Sequence, residues 1–419
     1  MTSLGYAIKP LSRPPETDIV VPGSKSHTNR ALLCAALAEG TSTLQGALDA
    51  DDTQAMIGVL KSLSIPTEWQ NDDLVVHGSA GSLRPGPTDV YVNQSGTTGR
   101  FVLPMITLGQ GPYTLDGDEQ LRVRPFGPLI EALRLLGGSI TGEKLPLKIG
   151  SSSMKGGTVK LPGSTSSQFL SGLLLSAPLF GDDVVLEIVG DLVSKPYVDL
   201  TLATMETFGV HVENDSYKRF HIAPQRYQAA RCRIEPDASA ASYFFAAAAI
   251  TGGTVNVVGL DSTTVQGDVA FVEALRQMGA RVTYGQGSVT VTGPDQLAGI
   301  NLDMSDISDT AQTLAVVASF ADAPTTISGI GFIRFKETDR IGAVVKELSR
   351  QGIRAEEQPD GLIVYPGVPS GGLVETYDDH RMAMSFSLLG LAHDGIVISN
   401  PGCVAKTFPT FFQVLDQLR

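Results

Sequence analysis

The sequence predicts an α/β (α+β) fold in two similar domains, each of three repeats that run strand–helix–strand–helix–strand–strand. Three observations carry this expectation. The chain of 419 residues is too long to organise around one ordinary core. Two series of apolar helices recur in phase, six times each, along the chain. The first helix of each pair is apolar nearly all round, as a helix buried on every side must be.

The second helices open near Asp52 (DTQAMIGVLKSLSI), Arg124 (RPFGPLIEALRLLGGSI), Lys195 (KPYVDLTLATMETFGVHV), Gly267 (GDVAFVEALRQMGARVTY), Thr338 (TDRIGAVVKELSRQGIRAEE) and Thr407 (TFPTFFQVLDQL), at intervals of 69 to 72 residues. Five of them are apolar at i, i+3, i+4 and i+7 and then pass through Gly or Ser into a β-like run. The first helices keep the same beat, at PGSKSHTNRALLCAAL, QSGTTGRFVLPMITL, PGSTSSQFLSGLLLSAPL, PDASAASYFFAAAAI, SDISDTAQTLAVVASF and YDDHRMAMSFSLLGLA. Strand-like segments such as GGTVNVVGL, SVTVTG, PTTISGI and GLIVYP end at Gly or Asp turns between them.

Six such units cannot share one core, so three per domain is the expected division. Three parallel buried helices point their N-termini at one surface, where unpaired N–H groups and the positive dipole end favour anions. Two domains face to face would form a cleft lined by such ends. The opening stretch Val21-Pro22-Gly23-Ser24-Lys25-Ser26-His27-Thr28-Asn29-Arg30 is the richest of the six, with a lysine, two serines and an arginine before its helix. It reads as a seat for a phosphate or carboxylate.

Composition narrows the class. Hydrophobic residues make up 42% and charged residues 18%, the profile of a folded globular protein. The net charge of -13 disfavours general binding to nucleic acid or anionic membranes. No apolar run reaches the roughly 18 residues of a membrane span. The N-terminal stretch lacks a basic-then-apolar signal pattern, so a cytoplasmic protein is expected. Cys34, Cys232 and Cys403 are far apart and form no CxxC pair, which argues against a zinc site or a disulfide framework.

Against this acidic background the cations gather at helix starts. Lys25 and Arg30 stand in the first opening, Arg100 in GTTGR, and Arg122 and Arg124 before Pro125, read as a first-turn proline. Ser166-Ser167-Gln168 and Ser194-Lys195 follow in the third unit; Lys336–Arg340 and Asp379-His380-Arg381 open two later helices, and Lys406 precedes the last. A cation there opposes the dipole at about 0.3–1 kcal/mol, a cost that a bound anion explains.

Other features have plainer readings. His27 reads as a loop residue, Asp51-Asp52 as helix-start acids, and Trp69 and Tyr243 as structural. Asp378-Asp379-His380 lacks a second histidine at i+4, so no metal site is expected. GSKS lacks the spacing of a nucleotide P-loop, and no serine nucleophile elbow is present. Two acids stand out as chemical candidates. Asp309 is either a helix N-cap or a proton-transfer group in a cationic cleft. Glu337 is either a first-turn partner of the dipole or a second such group.

Taken together, PGSKSHTNRALLCAALAEGTS, SGTTGR, RVRPFGPL, LPGSTSSQFLSGLLLSAPL, SKPYVDLTL, DASAASYFFAAAAITGGTV, QGDVAFVEAL, KETDRI, YDDHRMAMSFSL and PGCVAKTFPTFF resemble the 5-enolpyruvylshikimate-3-phosphate synthases over essentially the whole chain. The resemblance implies two domains of βαβαββ repeats in an inverse α/β barrel-like arrangement, with the active site in the interdomain cleft. It divides the chain into 1–20 plus 237–419 and 21–236, with crossings near Val20–Pro22 and Pro236–Asp237. It implies transfer of the enolpyruvyl group of phosphoenolpyruvate to the 5-hydroxyl of shikimate 3-phosphate, releasing phosphate, without metal or organic cofactor. A monomer without nucleic-acid or membrane partners is expected.

By the same resemblance, Lys25, Ser26 and Arg30 contact the shikimate moiety, with Lys25 also reaching the donor. Ser166, Ser167, Gln168 and Ser194 hold the acceptor's phosphate with Tyr197 nearby, and Lys336 holds its hydroxyls. Gly96, Arg124, Arg340, Arg381 and Lys406 hold phosphoenolpyruvate, and Gln168 touches both substrates. Asp309 is the base on the 5-hydroxyl, Glu337 exchanges a proton at the donor's methylene carbon, and His380 steadies Glu337. Three departures from the family pattern bear on affinity and on glyphosate response: Gln94-Ser95, Phe101 and Phe332. Gly96 leaves room for glyphosate, so sensitivity is expected. One rival is the related transferase acting on UDP-N-acetylglucosamine, which usually carries Cys or Asp in a loop corresponding to residues 110–118; Asp116 or Asp118 could imitate the Asp variant. A non-catalytic anion-binding protein is the other.

Overall fold

A computed structural model describes residues 5–419. The chain forms two compact units, one from Gly23 to Glu235 and one that runs to Pro22 and resumes from Pro236 to Arg419.

The Gly23–Glu235 unit contains helices α1 (Lys25–Leu37), α2 (Asp51–Ser62), α3 (Gly96–Ile106), α4 (Glu119–Arg122), α5 (Gly127–Leu135), α6 (Ser167–Ser176) and α7 (Lys195–Thr207). Its three four-stranded sheets share one topology. In the second, Thr88–Tyr91 pairs parallel with Tyr113–Asp116, and the hairpin of Ile140–Thr141 and Leu147–Ile149 adds antiparallel. The third repeats this with Gly157–Pro162, Val184–Val189, Arg219–Ile222 and Glu213–Asp215. A parallel pair needs a crossover, and α3 and α6 supply it.

Helices α8 (Ala238–Thr251), α9 (Phe271–Gln277), α10 (Ala311–Ala318), α11 (Arg340–Arg350), α12 (His380–Ala392) and α13 (Phe411–Leu415) belong to the other unit. Its fifth sheet, counting along the chain, orders Asn301–Asp303, Thr325–Ser328, Gly361–Val364 and Ala355–Gln358 as the others do.

Three sheets depart from the contiguous repeat that the sequence suggests. The first sheet takes its leading strand from Arg231–Arg233, parallel to Thr41–Gln45. The fourth takes its own from Glu16–Ile19, parallel to Thr254–Val258. The reason is local: α1 starts two residues after Gly23 and α8 two residues after Pro236, so in neither unit does the stretch directly joined to that helix have room for the strand. In the sixth, Tyr6–Ala7 replaces the closing hairpin, antiparallel to Ile396–Ile398.

The first helices are buried as their composition requires. In α8, every residue from Ala238 to Ala249 is buried, as is every residue of α12 from His380 to Leu391. Where α8, α10 and α12 pack together, a chain of buried hydroxyls links them: Ser242 to Thr313 and Thr313 to Ser385, each at 3.3 Å. In the other unit Arg30 of α1 ties itself to α6 and α7, and Arg100 of α3 to α6. The N-terminal halves of these helices therefore gather within each unit. Among the described residues, no helix is long and apolar enough to cross a membrane.

Candidate active site

In the Gly23–Glu235 unit the opening loop turns where Gly23 lies against Gly46. A Cβ on Gly23 would come within 2.0 Å of the Gly46 carbonyl oxygen, so only glycine fits. Ser24 then caps α1 by accepting from the His27 N–H at 3.4 Å. Lys25 is the first residue of α1, and its Nζ stands 3.6 Å from Asp52, a first-turn acid of α2. Asp51-Asp52, expected to favour the helix start by capping and through the dipole, keep the first-turn place but not the cap, which is Ala50, and Asp52 takes on the pairing with Lys25. His27 is not a loop residue; it lies in the first turn of α1 and is 7% exposed. Burial, with Arg30 beside it, pushes its imidazole down to about 4, so it is neutral near pH 7.

Arg30 is 2% exposed and donates to Thr201 Oγ1 at 2.7 Å, the Ser26 carbonyl at 2.8 Å, the Tyr197 carbonyl at 3.0 Å and Ser171 Oγ at 3.4 Å. An arginine has five N–H groups, so one remains for a ligand. Its main work in this geometry is to lock α1, α6 and α7 together. Burial pulls its guanidinium down to about 10, which leaves it charged at neutral pH.

Ser166 caps α6 by accepting from the Gln168 N–H at 3.3 Å, and Ser167 is the buried first residue of that helix. The Gln168 amide is fixed at both ends: Arg100 Nη1 donates to its Oε1 at 2.6 Å, and its Nε2 donates to Thr97 Oγ1 at 3.1 Å. Ser194 stands at the N-cap position of α7 in the left-handed region, φ 56° and ψ 43°, a conformation unusual for serine, and its side chain makes no cap bond. Tyr197 lies in the first turn of α7. Gly96 opens α3 directly against Arg124: a Cβ there would lie 2.7 Å from Arg124 Nη1. The proline near Arg124 plays a different part from the one expected. Helix α5 starts after Phe126, which stands at its N-cap position, and carries Pro128 in its first turn, while the Pro125 carbonyl accepts from Arg100. Arg122 turns away to a bidentate pair with Asp116, at 2.6 and 2.9 Å.

The other unit holds a denser charge cluster. Arg340 opens α11 and is 2% exposed. Its Nη2 donates to Glu337 at 2.7 Å, its Nη1 to Asp309 at 3.4 Å, and its Nε to Asp379 at 2.8 Å. Arg381 Nη2 donates to the other oxygen of Asp309 at 2.6 Å, and its Nη1 lies 3.5 Å from the Tyr243 hydroxyl. Burial alone would lower the Arg340 pKa; the carboxylates of Asp379, Glu337 and Asp309 outweigh it and raise the pKa above its ordinary value. Arg340 is therefore a permanent cation, and both arginines are held by acids in a nearly dry setting.

This arrangement corrects the plainer readings of two residues. Asp309 does not stand at the N-cap of α10, which is Thr310: it sits in a short 3-10 turn, Ser308–Thr310, ahead of that helix, and pairs with the two arginines. Glu337 lies before α11, whose N-cap is Asp339, and is 9% exposed. His380, 1% exposed, places Nδ1 3.6 Å from Asp379. Lys406 is buried at the end of the 3-10 turn Pro401–Lys406, and Lys336 follows the turn Gly331–Phe335. Asp379, unassigned by the sequence, is wholly buried and does double work, bonding Arg340 and capping α12 through the Arg381 N–H at 2.9 Å. A small acidic residue before a helical run signals a cap, which was legible; the partner 39 residues away was not.

Chemically, two carboxylates in contact with two buried arginines can trade a proton, while the guanidinium groups can exchange an internal acid for an incoming anion. The cysteines Cys34, Cys232 and Cys403 are free thiols. Among the described residues, no group of three or more His, Cys, Asp or Glu side chains could hold a metal.

Known proteins place this geometry. The family model described as EPSP synthase (3-phosphoshikimate 1-carboxyvinyltransferase) matches residues 12–415. A 3-phosphoshikimate 1-carboxyvinyltransferase of Nostoc punctiforme is 45% identical over 421 residues, covering 98% of this chain and 99% of that one. One from a Sulfurovum species is 46% identical over 413 residues, covering 96% of each chain. A solved EPSP synthase from Acinetobacter baumannii superposes with a TM-score of 0.84 at 27% identity, over 99% of this chain and 98% of that one. The repeated sheets, the helix-start polar residues and the paired arginine–acid cluster have one explanation: the chain belongs to the EPSP synthase family.

Proposed function

We infer that this protein transfers the enolpyruvyl group of phosphoenolpyruvate to the 5-hydroxyl of shikimate 3-phosphate, releasing phosphate, as a step of aromatic amino-acid biosynthesis. Family membership supports the reaction. The observation that carries the chemistry is the contact of Asp309 and Glu337 with Arg340 and Arg381.

In this reading the acceptor's phosphate lies at Ser166, Ser167, Gln168 and Ser194, with Tyr197, Lys25, Ser26 and the remaining N–H of Arg30 toward its ring. The donor's anionic groups take Arg124, Arg340, Arg381 and Lys406, with Lys25, Gly96, Gln168 and His380 alongside. Glu337 gives a proton to the methylene carbon of phosphoenolpyruvate, which makes C2 electrophilic. Asp309 takes the proton of the 5-hydroxyl as that oxygen bonds to C2. The tetrahedral intermediate then loses phosphate, and Glu337 recovers a proton from the new methyl group, restoring the double bond. Lys336 orients the acceptor's hydroxyls. Binding both substrates in register supplies much of the acceleration.

Asp116 faces Arg122, which speaks against its serving as an acid in the manner of the UDP-N-acetylglucosamine enzymes. The reading includes a monomeric cytoplasmic enzyme that needs no metal or organic cofactor and is inhibited by glyphosate in competition with phosphoenolpyruvate. The test is phosphate release from phosphoenolpyruvate with shikimate 3-phosphate, run beside UDP-N-acetylglucosamine. Turnover only with the first acceptor is expected, and no turnover with it overturns the assignment. Glyphosate that leaves the phosphoenolpyruvate dependence unchanged at millimolar levels overturns the inhibition.

A further inference from the structure

We propose that Glu347 is a positioning residue that holds the turn leading into α12 and thereby sets Arg381 and Asp379 for the reaction inferred above. Glu347 lies seven residues after Arg340, on the same face of α11, and is wholly buried. The two residues grip one segment at two points. Arg340 holds Asp379. The Glu347 carboxylate accepts from the Glu375 N–H at 3.0 Å, from the Tyr377 hydroxyl at 2.5 Å and from Arg350 at 2.7 Å.

The segment between those grips is not one the backbone adopts unaided. Tyr377 and Asp378 both sit in the left-handed region, at φ 53° and 54°. Consecutive non-glycine residues there relax unless side chains hold them. The Tyr377 ring is fixed further by Lys346, whose Nζ lies 5.5 Å from its centroid. Two residues after Tyr377 the chain enters the Asp379 cap, and Arg381 follows with its bond to Asp309. A buried carboxylate touching no proposed substrate group thus fixes the backbone that carries two residues of the charge cluster.

The chemistry of the anchor predicts an order among variants. A carboxylate accepts from all three donors without donating. The glutamine of Glu347→Gln can still accept from the Glu375 N–H and donate to the Tyr377 oxygen, losing only the half-exposed Arg350. Glu347→Ala loses all three.

The experiment measures kcat/KM for phosphoenolpyruvate in the phosphate-release assay, shikimate 3-phosphate binding alone, and amide exchange over residues 375–381. Glu347→Ala is expected to lower kcat/KM for phosphoenolpyruvate by about tenfold or more, with acceptor affinity within about twofold of wild type. Glu347→Gln is expected to recover most of that loss, and Tyr377→Phe, which keeps the ring over Lys346, to lose about threefold. Faster exchange at residues 375–381 is expected in Glu347→Ala whatever its activity. Unchanged exchange and an unchanged phosphoenolpyruvate dependence overturn the proposal, as does an equal loss of acceptor affinity. If Glu347→Ala does not fold, Tyr377→Phe decides by the same readouts. A wild-type protein without turnover overturns the functional reading instead, and the exchange measurement still judges the anchor.

Discussion

Arg340 Nε stands 2.8 Å from Asp379 Oδ2, in an ion pair whose side chains are 2% and 0% exposed. Few charges in a protein are so completely withdrawn from water, and removing one partner strands the other. Asp379→Ala is expected to cost about 3–5 kcal/mol, read as a lower denaturant midpoint at constant m. Asp379→Asn, which keeps an oxygen for the α12 cap, is expected to cost less. Equal midpoints for Asp379→Ala and wild type would show that Arg340 finds another partner.

Asp309 and Glu337 should separate chemistry from folding. Asp309→Asn and Glu337→Gln keep shape and an accepting oxygen but cannot exchange a proton at neutral pH. Each is expected to lower kcat by about 10²–10⁴ while the melting temperature stays near wild type. Phosphate release that survives both changes would return the protein to the class of anion binders.

Gly96→Ala tests the approach of Gly96 to Arg124. The new Cβ would lie 2.7 Å from Nη1 and 2.8 Å from Cζ of a guanidinium that is 7% exposed and has little room to swing. A higher KM for phosphoenolpyruvate with an unchanged KM for shikimate 3-phosphate is expected. A change confined to the acceptor would place Arg124 with the other substrate.

His27 predicts a pH dependence of stability. Its folded pKa is lowered from 6.5 to about 4 by burial and by Arg30. Between those values the unfolded chain binds the proton and the folded chain does not, so stability rises with pH across this window. The contribution is complete above about pH 6.5 and is lost as pH falls toward 4, at up to about 1.4 kcal/mol per pH unit. His27→Gln is expected to flatten the melting temperature between pH 6.5 and 4, and an unchanged slope would assign it to other groups.

The repeat was legible because burial on every side leaves a plain mark: helices such as α8 and α12 carry no polar face, and their spacing repeats. Individual charges were legible where they stood at helix starts, as with Lys25, Arg124, Arg340 and Arg381. What remained hidden was pairing. Nothing near Asp52 in the sequence announces Lys25, and nothing near Arg100 announces Gln168, 68 residues on. Arg30 looked like a ligand because it is cationic; its contacts with Thr201, Ser171 and Tyr197 turn it largely into a strut. Glu347 sits in an ordinary amphipathic helix, where a glutamate is expected to face water. Only its wholly buried position sets it apart.

The strand Glu16–Ile19, bonded to Thr254–Val258, has a consequence for the order in which the protein takes shape on the ribosome. The Gly23–Glu235 unit is one uninterrupted stretch and has all its sheets once Arg231–Arg233 has emerged. Glu16–Ile19 emerges ahead of that unit and finds its neighbour more than two hundred residues later. The unit synthesised second thus keeps an early strand waiting through the whole folding of the first. Fusing an N-terminal partner burdens that waiting strand, whereas the Gly23–Glu235 unit is the piece to express alone.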